Sequence, residues 1–124
     1  MEKKKTILII EQEANLAEGL KTILTKEGYG VISILTPYYL KELCKDKKPD
    51  LAIIDLHIPN ELGHNILRKI KEFFPTLPVI TMSVYSNSFT KKELNMMGVS
   101  DFIAKPFEVE YLKEKIEAFI GRKK

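Results

Sequence analysis

Apolar residues in this chain follow two alternating patterns: short continuous runs, and longer stretches with helical spacing. The runs Thr6–Ile10 and Leu51–Ile54 hold aliphatic or β-branched residues at every position. Runs of this kind predict strands that are buried on both faces. Five strands are predicted in all, at Thr6–Ile10, Val31–Leu35, Leu51–Ile54 (ending at Asp55), Pro78–Met82 and Asp101–Ala104.

The stretches that follow the predicted strands are amphipathic. After the first strand, Leu16, Leu20 and Leu24 recur at helical spacing. Asn15 is the expected N-cap of this helix, and Gly28 is the expected stop. Further helices are predicted from Pro37, around Ile66–Phe74, from Ser88 to Met97 and around Leu112–Ile120.

Strand and helix therefore alternate five times, which predicts an α/β fold. Continuous apolar strands favour a parallel sheet with helices on both faces. Right-handed crossovers make a doubly wound, flavodoxin-like sheet of order 2-1-3-4-5 the best prediction. The chain of 124 residues has the length of one domain and contains no repeat or linker-like segment, so residues 1–124 are expected to form a single domain. Ligands of such sheets bind at the carboxyl ends of the strands.

Composition excludes several classes of protein. The chain is 44% hydrophobic and 30% charged, which is typical of a folded domain rather than a disordered one. Its longest apolar runs have four residues, far short of the ~20 that span a membrane. A net charge of +3 is too small to indicate nucleic-acid binding. The single cysteine, Cys44, and the lack of a signal-peptide pattern favour the cytoplasm.

Polar residues follow the predicted strands where ligands are expected. Glu11 comes after the first strand, Asp55 after the third, Ser83 after the fourth and Lys105 after the fifth. Carboxylates can hold Mg²⁺, while a lysine and a hydroxyl can bind phosphoryl oxygens. An aspartate can itself attack phosphorus and form an acyl phosphate. This set of residues suits a phosphoryl group together with a divalent cation.

Four segments carry a resemblance to a known family. They read ILIIEQE at 7–13, PDLAIIDLHIPNELG at 49–63, PVITMS at 78–83 and GVSDFIAKPF at 98–107. In this order they resemble the receiver domains of two-component response regulators, the CheY-like superfamily. The resemblance covers nearly the whole chain.

The resemblance implies a role for several of these residues. Asp55 would accept a phosphoryl group from a histidine kinase or a phosphotransfer protein. Ser83 and Lys105 would bind the phosphoryl oxygens, and Ser83 would move on activation. Phe102 would be the aromatic switch that rotates inward behind that hydroxyl. The Lys105–Pro106 peptide bond would be cis.

The resemblance also implies a Mg²⁺ site at Glu11, Gln12, Asp55 and the main-chain carbonyl of His57. Receivers normally have two acids after the first strand, whereas this chain has Glu11 followed by Gln12. Gln12 offers only a neutral carbonyl oxygen, so we expect weaker Mg²⁺ binding. Glu13 is a reserve ligand, but it is better placed to favour the N-terminus of the first helix through the helix dipole.

Three further positions flank the predicted phosphoryl site. Val84 stands where the family usually has a small residue. Tyr85 and His57 stand at positions that tune the access of water to the acyl phosphate in the family. Because both side chains are bulky, slow loss of the phosphoryl group is expected.

The sequence thus predicts a phosphoacceptor switch rather than an enzyme. Phosphorylation of Asp55 would alter partner binding through the surface of helix 4, strand 5 and helix 5. Expected partners are a histidine kinase and a downstream effector protein or domain, with a homodimer left open and neither membrane nor nucleic acid bound. Because of Gln12 and Val84, the alternative is a pseudo-receiver that acts as a phosphorylation-independent interaction module. A small Mg²⁺-dependent phosphatase or nucleotide-binding protein is disfavoured, because no Gly-rich loop follows the first strand.

Overall fold

Five parallel strands form one sheet in the order β2-β1-β3-β4-β5, which confirms the predicted topology. The structure is a computed structural model that describes residues 4–57, 63–83 and 90–121. The strands are β1 (Thr6–Ile10), β2 (Gly30–Ile34), β3 (Leu51–Asp55), β4 (Val79–Ser83) and β5 (Asp101–Ala104). The helices are α1 (Ala14–Lys26), α2 (Leu40–Asp46), α3 (Gly63–Phe73), α4 (Lys91–Met96) and α5 (Val109–Ile120), with a 3₁₀ turn at Pro37–Tyr39 before α2.

The sheet is covered on both faces, as the continuous apolar strands predict. Successive residues of a strand point to opposite faces, so neighbouring core positions belong to different layers. Ile53 packs with residues of α1 and α5, including Leu20 and Ile116. Ile54 packs in a second cluster with residues of α2 and α3, including Ile70. None of the described helices is long and apolar enough to cross a membrane.

The start of α1 differs from the sequence prediction. The N-cap is Glu13 rather than Asn15, because the Glu13 carboxylate accepts hydrogen bonds from the main-chain N–H groups of Asn15 and Leu16 at 3.1 and 2.8 Å. Gly28 has a φ of 98°, in the left-handed region that favours glycine, two residues beyond the end of the helix.

A side-chain cap fixes the first turn of the fourth helix. Thr90 is its N-cap, and a capping box joins Thr90 to Glu93. This arrangement satisfies two terminal groups of the main chain at once and therefore sets the first turn. The predicted start at Ser88 lies outside the described residues, as do Val84 and Tyr85.

Substitutions on the two faces of β3 test the double coverage. Ile53→Ala and Ile54→Ala are each expected to lower the free energy of unfolding by about 2–5 kcal/mol, because each removes fully buried methyl groups. Urea denaturation followed by circular dichroism measures the change. Met96→Ala is the control, because that side chain is 79% exposed. A large loss of stability in only one of the two isoleucine variants would contradict a sheet that is buried on both faces.

Candidate functional site

Two buried carboxylates lie side by side at the carboxyl edge of the sheet. Glu11 directly follows β1, and Asp55 is the last residue of β3; the register pairs Ile10 with Ile54. Glu11 is 0% exposed and Asp55 is 2% exposed. The pairing of these two strands is therefore what brings the first two predicted site residues together.

Lys105 follows the edge strand β5 and reaches both carboxylates across the carboxyl ends of the strands. Its Nζ lies 2.6 Å from Glu11 Oε1 and 3.6 Å from Asp55 Oδ2. Its main-chain N–H donates to the Ser83 carbonyl at 2.8 Å, which fixes the lysine backbone beside the end of β4. The Lys105–Pro106 bond is cis, as the resemblance implies.

The second oxygen of each carboxylate accepts a main-chain hydrogen bond. Glu11 Oε2 accepts from the N–H of Glu13 at 2.9 Å, and Asp55 Oδ1 accepts from the N–H of His57 at 2.9 Å. Both bonds fix the carboxylates in place. Gln12 is exposed, and the Glu13 carboxylate caps α1.

Ser83 and His57 form a pair next to Asp55. The Ser83 Oγ lies 2.7 Å from His57 Nε2, across the boundary between β3 and β4. Sequence reasoning placed Ser83 in the site but assigned only a main-chain role and a shielding role to His57. No pattern in the sequence distinguishes an imidazole that contacts the serine from one that lies in the loop.

Phe102 lies on β5, opposite Thr81 of β4, and its side chain is 37% exposed. Its neighbour Asp101 accepts a hydrogen bond from the Phe102 N–H at 2.8 Å. The aromatic ring is therefore on the surface of β5 rather than buried behind Ser83.

The charges of this edge favour a cation. Glu11 and Asp55 together have one more negative charge than Lys105 can balance, and a buried charge without a partner is costly. In the part of the chain that the structure describes, no group of three or more His, Cys, Asp or Glu side chains could hold a metal ion. A cation here would therefore have two carboxylates, main-chain oxygens and water as ligands, which fits Mg²⁺.

Comparison with known proteins identifies the family. The family model for the response regulator receiver domain matches residues 7–117. This chain belongs to the response regulator receiver domain family. The receiver is 35% identical over 126 residues to the response regulator ArlR of Staphylococcus aureus, covering 94% of this chain and 52% of ArlR. It thus spans about half the length of the curated relatives it matches.

Solved structures agree with this family. The receiver superposes on the receiver domain of the response regulator TorR with a TM-score of 0.84, at 26% identity, covering 94% of this chain and 96% of that one. It also resembles the response regulator TrrA of Thermotoga maritima in complex with Mg²⁺-BeF, with a TM-score of 0.79, 25% identity, and coverage of 93% and 98%. The receiver is thus part of a two-component system.

The buried ion pair of the receiver predicts a stability effect. Lys105→Met should lower the free energy of unfolding by about 3–5 kcal/mol, because the buried Glu11 carboxylate loses its cation. The double variant Glu11→Gln, Lys105→Met should recover part of this loss, because neither charge is left. Urea denaturation measures both variants.

Lys45→Met is the matched control, because Lys45 pairs with Glu42 at 3.8 Å on the exposed surface. Exposed pairs contribute little, so its stability should hardly change. A double variant that is less stable than Lys105→Met would contradict the assigned ion pair.

Proposed function

We propose that this receiver is a phosphoacceptor switch in which Asp55 accepts a phosphoryl group from a histidine kinase or a phosphotransfer protein. The observation that carries the proposal is the meeting of Glu11, Asp55 and Lys105 from three strands at one edge. Residues 1–124 are proposed to act as one domain in the cytoplasm, and the proposed output is altered binding to a partner.

The transfer places a new bond on an Asp55 carboxylate oxygen. That oxygen attacks phosphorus, the P–N bond of the donor phosphohistidine breaks, and the imidazole nitrogen keeps the electron pair. Bound Mg²⁺ would neutralise part of the charge on the phosphoryl oxygens. Its proposed ligands are Glu11, Asp55 and the His57 carbonyl, with Gln12 contributing no charge.

Lys105 is placed to change partners during this step. Its Nζ is bonded to Glu11 but lies only 3.6 Å from Asp55 Oδ2, so a small movement brings it to a phosphoryl oxygen. That movement would release Glu11 Oε1 for the cation. Ser83 would donate its hydroxyl proton to another phosphoryl oxygen.

The proposed output surface consists of α4, β5 and α5. Met96, Phe102 and Tyr111, one from each element, all have exposed side chains. Lys115 Nζ lies 2.8 Å from Asp101 and 4.6 Å from the centre of the Tyr111 ring. Burial acts to lower the pKa of Lys115, but its hydrogen bonds to Asp101 and Tyr111 outweigh burial, so the pKa is raised above the ordinary value. This charged and aromatic face suits an effector protein or domain, and also a second copy of the chain.

Beryllofluoride, a mimic of the phosphoryl group, tests the proposal. In the presence of Mg²⁺ it should shift the NMR signals of Asp55, Ser83 and Phe102, and Asp55→Asn should abolish the shifts. Asp46→Asn is the matched control, because Asp46 is an exposed aspartate at the end of α2. Mass spectrometry after treatment with acetyl phosphate should likewise show one added phosphoryl group, except in Asp55→Asn.

A wild-type protein that stays unchanged at millimolar Mg²⁺ would contradict the switch and favour the pseudo-receiver. Turnover of a small phosphate ester would instead indicate a phosphatase.

Gln12→Asp tests the effect of the missing acid. The substitution should tighten Mg²⁺ binding by about tenfold, because it adds a negative charge where a neutral amide now stands. NMR titration with Mg²⁺ alone measures the dissociation constant. Gln12→Asn is the control for side-chain length and should bind Mg²⁺ like the wild type. Equal affinities of the Asp and Asn variants would show that position 12 does not contact the cation.

A further inference from the structure

We propose that the His57 side chain is a positioning residue, which holds the Ser83 hydroxyl in the unphosphorylated receiver and yields it to the phosphoryl group on activation. This inference rests on the proposed phosphorylation of Asp55. It assigns to the imidazole a role separate from that of the His57 carbonyl and from simple shielding of the site.

Main-chain bonds fix the point from which the imidazole extends. The His57 N–H donates to Asp55 Oδ1 at 2.9 Å. One residue earlier, the Leu56 N–H donates to the Met82 carbonyl at 3.2 Å and so continues the pairing of β3 with β4. The backbone of His57 is therefore held beside Ser83, which brings its imidazole within reach of the hydroxyl, at 2.7 Å between Nε2 and Oγ.

The hydroxyl of Ser83 has one proton and two lone pairs. If His57 Nε2 is unprotonated, the hydroxyl donates its proton to the imidazole and cannot donate it to a phosphoryl oxygen at the same time. If Nε2 is protonated, the imidazole donates to Oγ, and the hydroxyl proton stays available for a phosphoryl oxygen. The proposal therefore assigns to the unphosphorylated receiver the tautomer in which Nε2 accepts the hydroxyl proton, and in that tautomer the bond opposes the change.

An interaction that one state has and the other lacks shifts the equilibrium between them. Loss of one ordinary hydrogen bond changes an equilibrium constant by about fivefold. The imidazole should therefore weaken the binding of the phosphoryl mimic by about this factor, and it should act only while Ser83 has its hydroxyl.

Two substitutions separate the hydrogen bond from the bulk of the side chain. His57→Leu keeps an apolar side chain of similar size but cannot bond to Ser83. His57→Gln places an amide group near the position of Nε2, and its carbonyl oxygen can accept the Ser83 hydroxyl proton and restore the bond. Both variants keep the main-chain carbonyl of residue 57. Their affinity for Mg²⁺ alone is measured separately, so that a change in Mg²⁺ binding is not counted as a change in binding of the phosphoryl mimic.

The experiment measures the dissociation constant of beryllofluoride by NMR at fixed Mg²⁺ and pH. His57→Leu should bind about fivefold more tightly than the wild type, and His57→Gln should stay within about twofold of it. In a Ser83→Ala background, His57→Leu should not change the affinity for beryllofluoride, because alanine lacks the hydroxyl to which His57 bonds. The four variants form a double-mutant cycle.

Other outcomes would overturn the inference. Equal or weaker binding by His57→Leu would show that the imidazole does not hold Ser83 back. If His57→Leu gave the same gain in beryllofluoride affinity in the Ser83→Ala background, the effect would come from the size of the side chain rather than from the hydrogen bond. A wild type that does not respond to beryllofluoride would refute the phosphoacceptor function itself, whereas a wild type that responds, with Leu and Gln variants alike, would refute only the role of His57.

Discussion

The buried ion pair between Glu11 and Lys105 is the interaction on which the rest of the site depends. The sheet order separates these residues: Glu11 follows β1, Lys105 follows β5, and β3 and β4 lie between them. The lysine side chain must therefore cross the carboxyl edge of the sheet to reach its partner. Asp55, at the end of β3, lies under this path, which explains why the ammonium group is 3.6 Å from it. A buried carboxylate needs such a partner to be tolerated. The same contact that stabilises Glu11 thus places a positive charge beside the proposed phosphoacceptor.

Main-chain hydrogen bonds hold the two carboxylates in fixed orientations. Each carboxylate has one oxygen bonded to a main-chain N–H two residues later and the other directed towards Lys105. The tight turn after β1 and the tight turn after β3 are therefore built in the same way. In the turn after β1, the residue between the acid and its donor is Gln12, which is exposed. In the turn after β3, the donor residue is His57, whose ring is turned towards Ser83.

Much of the fold follows from the sequence, because continuous apolar runs and helical spacing depend on burial alone. β1 and β5 have their predicted bounds, and the strand order is as predicted. The cap of α1 could not be predicted, since Glu13 and Asn15 both stand near the predicted start, and the helix begins at Ala14 with the N–H groups of Asn15 and Leu16 bonded to Glu13. Glu11, Asp55, Ser83 and Lys105 were predicted from their positions at the ends of strands. Gln12, His57 and Phe102 were assigned only from the family resemblance. The contact between His57 and Ser83 was not predicted, because it depends on a side-chain torsion that no spacing of residues records. The assigned chemistry of the site remains a prediction.

The dispersal of the site along the chain has a consequence for protein synthesis. Glu11 and Lys105 are 94 positions apart, and Asp55 lies between them. A nascent chain that ends before β5 contains Glu11 and Asp55 but not Lys105, which balances part of their charge. In such a chain β1 could already pair with β2 and β3, but Glu11 would lack the cation that compensates for its burial. The ion pair at this edge would therefore form only when β5 has emerged, so that the stable burial of Glu11 is coupled to the synthesis of β5.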